Sequence, residues 1–243
     1  MTLADALCAR RGVVCVVGAG GKKSTLYALA RLLDRAVVTA TVRIPIFDQQ
    51  VADVVVTDTP VEALERATDW PVGVVPERDR DDRYRGYDPD VVDAIEDSDV
   101  ADVVLVKADG ARMREFKAPG DREPQLPATA DTVLPIASVH AVGEPLADDT
   151  VHRPKRVAAL TDLELGDTIR PSDVATVLTS ERGGRADVPD GVTVVPVLNK
   201  VDDAALEVVA REIASDILAR SDVPHVVLTQ LTASEPVVSV VER

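Results

Sequence analysis

Short, largely apolar, β-branched runs alternate along the chain with stretches of helical spacing. Val13–Val17, Ala36–Thr39, Asp53–Thr57, Pro71–Val75, Ala101–Val106, Thr132–Ala137, Val192–Leu198 and Val223–Leu228 predict strands, several of them apolar enough to be buried on both faces. Between them, Ser24–Leu33 places Leu26, Leu29, Ala30 and Leu33 on one helical face. Val61–Ala67, Pro89–Ile95, Pro171–Leu178 and Asp203–Ala219 predict further helices, two of them with proline at the start, where its missing N–H costs nothing. Strands alternating with helices predict an α/β fold with a doubly wound, mostly parallel sheet, expected as a single domain over residues 1–243. Two stretches break the rhythm: a charged excursion near 76–90, and a longer one at 107–130, expected to be a functional loop.

In such sheets ligands bind beyond the carboxyl ends of the strands. Directly after the first strand comes Gly18-Ala19-Gly20-Gly21-Lys22-Lys23-Ser24-Thr25, leading into a helix. Glycines there let backbone N–H groups converge on an anion, and the helix N-terminus adds partial positive charge. A lysine closing the loop reaches the β- and γ-phosphates, and a hydroxyl beside it reaches Mg²⁺. This predicts a P-loop NTPase-type nucleotide site in one of two registers. With Lys22 as the phosphate lysine, Gly21 is in place but Lys23 holds the hydroxyl position; with Lys23, Ser24 is in place but Lys22 displaces the second glycine.

Two more motifs follow strands. Val103–Val106 runs into Lys107-Ala108-Asp109-Gly110, where Asp109 is positioned to organise Mg²⁺ or a water; an Asp-Gly turn is the plain alternative. Asn199-Lys200-Val201-Asp202 resembles the base-reading motif of GTP-binding proteins, in which the aspartate accepts hydrogen bonds from guanine N1 and N2; a helix cap by Asp202 or Asp203 is the alternative. Thr39 and Thr41 end the second strand, and Thr41 is a further candidate Mg²⁺ ligand beside Ser24 and Asp109. Lys22 and Asp109 are the candidate catalytic pair, and GTP and ATP both remain open as the ligand.

The net charge of −15 argues against nucleic acid or an anionic membrane as partner. Lysine occurs only at 22, 23, 107, 117, 155 and 200, the other 21 cations being arginine, so the paired lysines of the loop stand out. An acidic, lysine-poor surface suits a salt-loaded cytoplasm, where ions screen self-repulsion, and predicts a halophilic source. No secretory apolar stretch opens the chain and no run approaches a membrane span, so a cytoplasmic location is expected. Cys8 and Cys15 have no metal-ligand spacing, and His140, His152 and His225 are too scattered for a metal centre.

Together the motifs resemble one family, the YqeC-type selenium-dependent hydroxylase accessory proteins. The likeness rests on Gly18–Lys22, Thr39-Ala40-Thr41, Ala108-Asp109-Gly110-Ala111, Lys117-Ala118-Pro119 through Glu123-Pro124 and Pro127, Arg182-Gly183-Gly184, and Leu198–Asp202. The resemblance implies a nucleotide-binding accessory protein for maturation of a molybdenum hydroxylase or its cofactor, with Lys117 in the binding site. It leaves open slow NTPase activity, a non-hydrolysing scaffold and a small-molecule kinase. Lys23 stands where the family has a hydroxyl and Lys107 where it has Glu, which bears on Mg²⁺ binding. Arg112, Arg114, Lys117, Arg122 and Glu123 make the loop 112–127 a candidate for gripping an anion such as a pterin phosphate; a solvated charged face is the alternative.

Overall fold

Strand β1 (Gly12–Gly18) is buried along its whole interior, as its apolar run requires. The pleat sends alternate residues to opposite layers. Val14 and Val16 meet α1 (Leu3–Ala6) and α2 (Lys22–Ala30), while Val13, Cys15 and Val17 meet α3 (Pro60–Glu65) and α4 (Pro89–Asp97). The structure, a computed structural model, describes Met1–Arg243.

The remaining strands of the main sheet are β2 (Ala36–Ala40), β3 (Asp53–Val56), β4 (Val72–Val75), β5 (Val103–Lys107), β6 (Ala130–Ser138), β7 (Thr193–Val194), β8 (Val197–Asn199), β9 (Val226–Thr229) and β10 (Val237–Val241). Their order is β10-β9-β8-β6-β1-β5-β2-β4-β3, with β7 also on β6. Every pairing is parallel except β9 with β10. Helices α6 (Pro171–Thr179) and α7 (Ala204–Arg220) pack with the β6, β8 and β9 half of the sheet. The result is an α/β architecture of P-loop NTPase type. From β1 the chain winds to one side through β2, β3, β4 and β5, then crosses to β6 on the other side. The loop after β1 therefore lies at the switch point, where the flanking connections run to opposite sides of the sheet, the place where ligands bind in open α/β sheets.

Three departures from the sequence pattern have local causes. The run Val192–Leu198 splits into β7 and β8 around Pro196, which has no N–H for the ladder. Within the excursion near 76–90, Arg78–Arg80 and Arg83–Tyr84 form a hairpin that pairs with Ile44–Pro45. It is held by Tyr84, buried edge-on against Phe47, an anchor the surrounding charges mask. Within 107–130, Phe116–Lys117 pairs in parallel with Val151–His152, which leads into α5 (Pro154–Ala158). These last pieces lie over the carboxyl end of β6, since Ser138 N donates to Glu115 O.

Candidate functional site

The glycines of the loop are fixed by close approach. Gly18 and Gly20 have φ of +90° and +79°. A Cβ on Gly18 would lie 2.2 Å from Ile136 O, and one on Gly20 would lie 2.6 Å from Ser138 N. No side chain caps α2, and its first main-chain bond is Thr25 N to Gly21 O. The N–H groups of Gly21, Lys22, Lys23 and Ser24 thus have no acceptor in the chain, as at any helix start, and they carry the positive end of the dipole.

The earlier part of the loop is already paired internally. Gly18 N donates to Asp109 Oδ2 at 2.8 Å, Ala19 N to Ile136 O, and Gly20 N to Arg114 O. Lys22, 5% exposed, folds back to donate to Gly18 O, and its ammonium stands 2.7 Å from Asp109 Oδ1. Lys23 points the other way, half-buried, with its ammonium 3.8 Å from Met113 Sδ. Ser24 is exposed, while Thr25 is buried and donates to Gly21 O.

Asp109 is the hub. Its Oδ2 also takes Lys117 at 2.8 Å, while Oδ1 has the Lys22 ion pair and no directed hydrogen bond. Lys117 donates as well to Gly110 O and to Glu123 Oε2, and Glu123 is held in turn by Arg153. Burial works against the Asp109 carboxylate, but Lys22 and Lys117 outweigh it and hold its pKa below the usual range. Glu123, opposed by burial but flanked by Arg153 and Lys117, is drawn down to about 2. Burial, with Lys117 adding repulsion, pushes Lys22 below an ordinary lysine.

Lys107 joins this cluster from β5, donating to Arg43 O at 2.8 Å and Asp109 O at 2.7 Å. Burial first, then the Lys22 charge, lowers its pKa to about 7. In the unfolded chain a lysine titrates near 10.4, so between those values the unfolded state binds more protons and stability rises with pH. Between pH 7 and about 8, below most of the thiol and tyrosine titration, Lys107 should add on the order of 1 kcal/mol. Urea midpoints across that window should rise for the wild type and rise less for Lys107→Met. Equal slopes would mean that Lys107 stays charged in the fold.

One residue of the base motif, Asn199, reaches the same loop. Asn199, at the end of β8, donates from its amide to Gly20 O at 2.8 Å and accepts from Thr229. A Cβ on Gly21 would lie 2.4 Å from that amide nitrogen, so glycine is required for the contact. Lys200, with φ +64°, pairs with Glu115 at 2.6 Å. Asp202, partly exposed, meets His140 Nε2 at 3.1 Å, and it is Asp203 that caps α7 through Leu206 N. The two threonines of β2's end are committed elsewhere: Thr39 donates to Val74 O and Thr41 to Gln125 O at 2.6 Å.

Lys22, Asp109, Lys117 and Asn199 thus come together around Gly18–Gly21, with Ser24 one turn along. The sequence reading missed Glu115, His140, Lys107 and Arg153 as partners. Lysine placement was the available signal for Lys107: four of the six lysines, at 22, 107, 117 and 200, lie in these contacts and Lys23 adjoins them. No group of three His, Cys, Asp or Glu that suits a metal occurs in the structure. No helix is long and apolar enough to cross a membrane.

Comparison with known proteins gives this arrangement a family. Over 197 residues the chain is 29% identical to the protein named "Uncharacterized protein YqeC" of Escherichia coli (strain K12), an alignment covering 79% of this chain and 77% of that one. The YqeC protein family itself matches residues 14–155, more than half the chain, from the glycine loop through Asp109, Lys117 and Glu123 to Arg153. The chain belongs to the YqeC family.

Proposed function

We propose that this protein binds a nucleoside triphosphate, GTP in preference to ATP, and serves as an accessory factor in maturation of a selenium-dependent molybdenum hydroxylase in the cytoplasm. The observation that carries the nucleotide reading is the Asn199–Gly20 hydrogen bond, which ties a base-type motif to a phosphate-type loop across 179 residues of sequence. The hydroxylase context rests on the motif resemblance alone. In this reading the N–H groups at the start of α2 receive the phosphates. Lys22 leaves Asp109 to follow them, and Lys200 lies along the base.

The donor set fits the phosphates better than it fits Mg²⁺. Lys22, Lys107 and Lys117 surround Asp109, so a cation beside that carboxylate is opposed until Lys22 moves. Mg²⁺ is commonly held by one or two carboxylates plus substrate phosphates. Asp109 Oδ1, buried without a directed hydrogen bond, is the oxygen that would hold it, with the hydroxyl of Ser24, which follows Lys22 and Lys23 on α2, as the second candidate. Bound metal would supply charge neutralisation at the phosphates. Two ammonium groups on the one carboxylate favour a non-hydrolysing scaffold as the second reading. Phosphate release from GTP above background, lost in Asp109→Asn, rejects the scaffold.

Base preference is tested by competition. A site that hydrogen-bonds guanine N1 and N2 leaves Asp202 unpaired against adenine, at a cost of about 1–3 kcal/mol, so GTP should bind roughly ten- to a hundredfold more tightly than ATP. Asp202→Asn should shift preference toward XTP, whose base offers an acceptor where guanine offers a donor. Equal affinity of the wild type for GTP and ATP would leave Asp202 as the partner of His140 alone and remove the base reading.

A further inference from the structure

With 42 acidic residues against 27 basic ones, an arginine in this chain is surrounded by available partners. Sixteen of the 21 arginines have one, a carboxylate, a carbonyl or an amide oxygen. The five without are Arg11, Arg112, Arg114, Arg122 and Arg182. Arg11 lies near the amino end of β1, remote from the loop. The other four flank the site. Arg112, Arg114 and Arg122 belong to the segment that crosses the phosphate loop, where Arg114 O accepts from Gly20 N. Arg182 precedes Gly183 and Gly184, which share a small cavity with Asp109 and Lys117.

This distribution is opposite to what charge pairing on an acidic protein produces by default, and it persists one layer deeper. Lys117, 4% exposed, and Arg153 share the single carboxylate of Glu123. Gly120 lets the Arg153 guanidinium lie against the backbone: a Cβ there would be 2.8 Å from Arg153 Cζ. His152 records the local potential. Burial first, then Arg153, Lys117 and Arg112, push its pKa down to about 4, so it stands as a neutral hydrogen-bonding group among cations. The turn carrying Arg112 and Met113 keeps both in the left-handed region, φ +47° and +63°, with both side chains exposed.

We propose that Arg112 and Arg114, backed by Arg153 and Lys117, form a second anion site beside the phosphate loop that takes the phosphate group of a separate small molecule. It rests on the nucleotide reading for its neighbour, not for its own chemistry. The phosphate loop already has Lys22 and the α2 N-terminus for its ligand, so the unpaired arginines add charge for another. Planar guanidinium groups suit the oxygens of a phosphate monoester through paired N–H donors. The second ligand is thereby held beside the phosphate loop, next to the point where Arg114 O accepts from Gly20 N.

The probe is inorganic phosphate, titrated calorimetrically into wild-type protein saturated with a non-hydrolysable GTP analogue. One further binding event is expected, weakened at least about tenfold in Arg112→Gln/Arg114→Gln, with nucleotide affinity changed less than about twofold. Neither arginine side chain has an ion pair or hydrogen bond in the fold, Arg112 is exposed and Arg114 half-buried, so the variant should melt close to the wild type, and its melting temperature is measured alongside. Absence of the second event overturns the proposal. So does weakened nucleotide binding in the double variant, which would assign these arginines to the nucleotide's own phosphates. If no nucleotide binds at all, the nucleotide reading fails by itself. Phosphate titrated into Lys22→Ala then decides this site: binding that is lost on adding Arg112→Gln/Arg114→Gln sustains it, and binding indifferent to them rejects it.

Discussion

Replacing Asp109 with alanine is expected to lower the stability of the fold by about 3–5 kcal/mol, the cost of removing one partner from a buried ion cluster. Lys22 and Lys117 both rest on this carboxylate with side chains 5% and 1% exposed. Lys117 would keep Glu123, but Lys22 would keep only the carbonyl of Gly18. Gly18 N would lose its acceptor as well. Asp109→Asn separates the two parts of the loss, because an amide oxygen can still receive Gly18 N while the charge is gone; most of the destabilisation should remain. Acid unfolding gives an independent check. The folded pKa of Asp109 lies below its unfolded value, so its stabilisation is present above about pH 4 and is lost as pH falls through the folded pKa. Wild-type protein should therefore lose stability steeply below about pH 4, and Asp109→Ala should show a shallower acid limb. Unfolding free energies from urea titration at neutral pH that differ by less than about 1 kcal/mol between wild type and both variants would mean that the lysines are neutral in the fold and need no counter-charge.

The parallel strands and their helices were legible because both-face burial writes a continuous apolar run, as in Val13–Val17 and Val103–Val106, and both fall within observed strands. The edge was not. Val237–Val241 carries a strand's composition, Val-Val-Ser-Val-Val, but it is half-buried and follows a polar turn, and the sequence reading passed over it as an antiparallel edge. The 139–170 region was equally silent. Its elements, Val151–His152 and Pro154–Ala158, are too short for any period to show, and they are held by Val151, Val157 and Leu163 packing under the sheet end. Of the site, the parts that lie directly after strands were readable: the glycine loop, Asp109 and Asn199. Contacts made by side chains from separate loops were not. Nothing local marks Glu115 as the partner of Lys200, or His140 as that of Asp202, because those pairings depend on where the cap segment lands. Thr41 shows the reverse: a hydroxyl well placed by sequence is bonded to Gln125 O, and it pins the 107–130 segment to the end of β2.

On the nucleotide reading proposed above, one of the paired lysines meets the phosphates. Lys22→Ala is expected to weaken nucleotide binding at least about a hundredfold, and Lys23→Ala less than about tenfold. A charge-assisted hydrogen bond to a buried anion is worth about 1.5–3 kcal/mol, and hundredfold corresponds to about 2.7 kcal/mol. Lys22 has that geometry. Its side chain turns back over the loop to Gly18 O and Asp109, inside the ring of glycines. Lys23 leaves on the far side of the same turn toward Met113, where it can supply long-range attraction that salt screens. The register follows from the helix: consecutive residues point about 100° apart, so only one of the two lysines can face the β1–β5 ends. The helix begins at Lys22, immediately after Gly21, which places Lys22 there. Asp109 retains Lys117 in the Lys22→Ala variant, so the fold should survive for the measurement. Calorimetric titration of both variants with GTP reads the result. If Lys23→Ala alone abolishes binding, the helix must start one residue later when nucleotide is bound, and Ser24 becomes the hydroxyl that follows the phosphate lysine. If neither substitution changes affinity, the glycine loop is a strand-to-helix turn whose lysine serves only to neutralise Asp109.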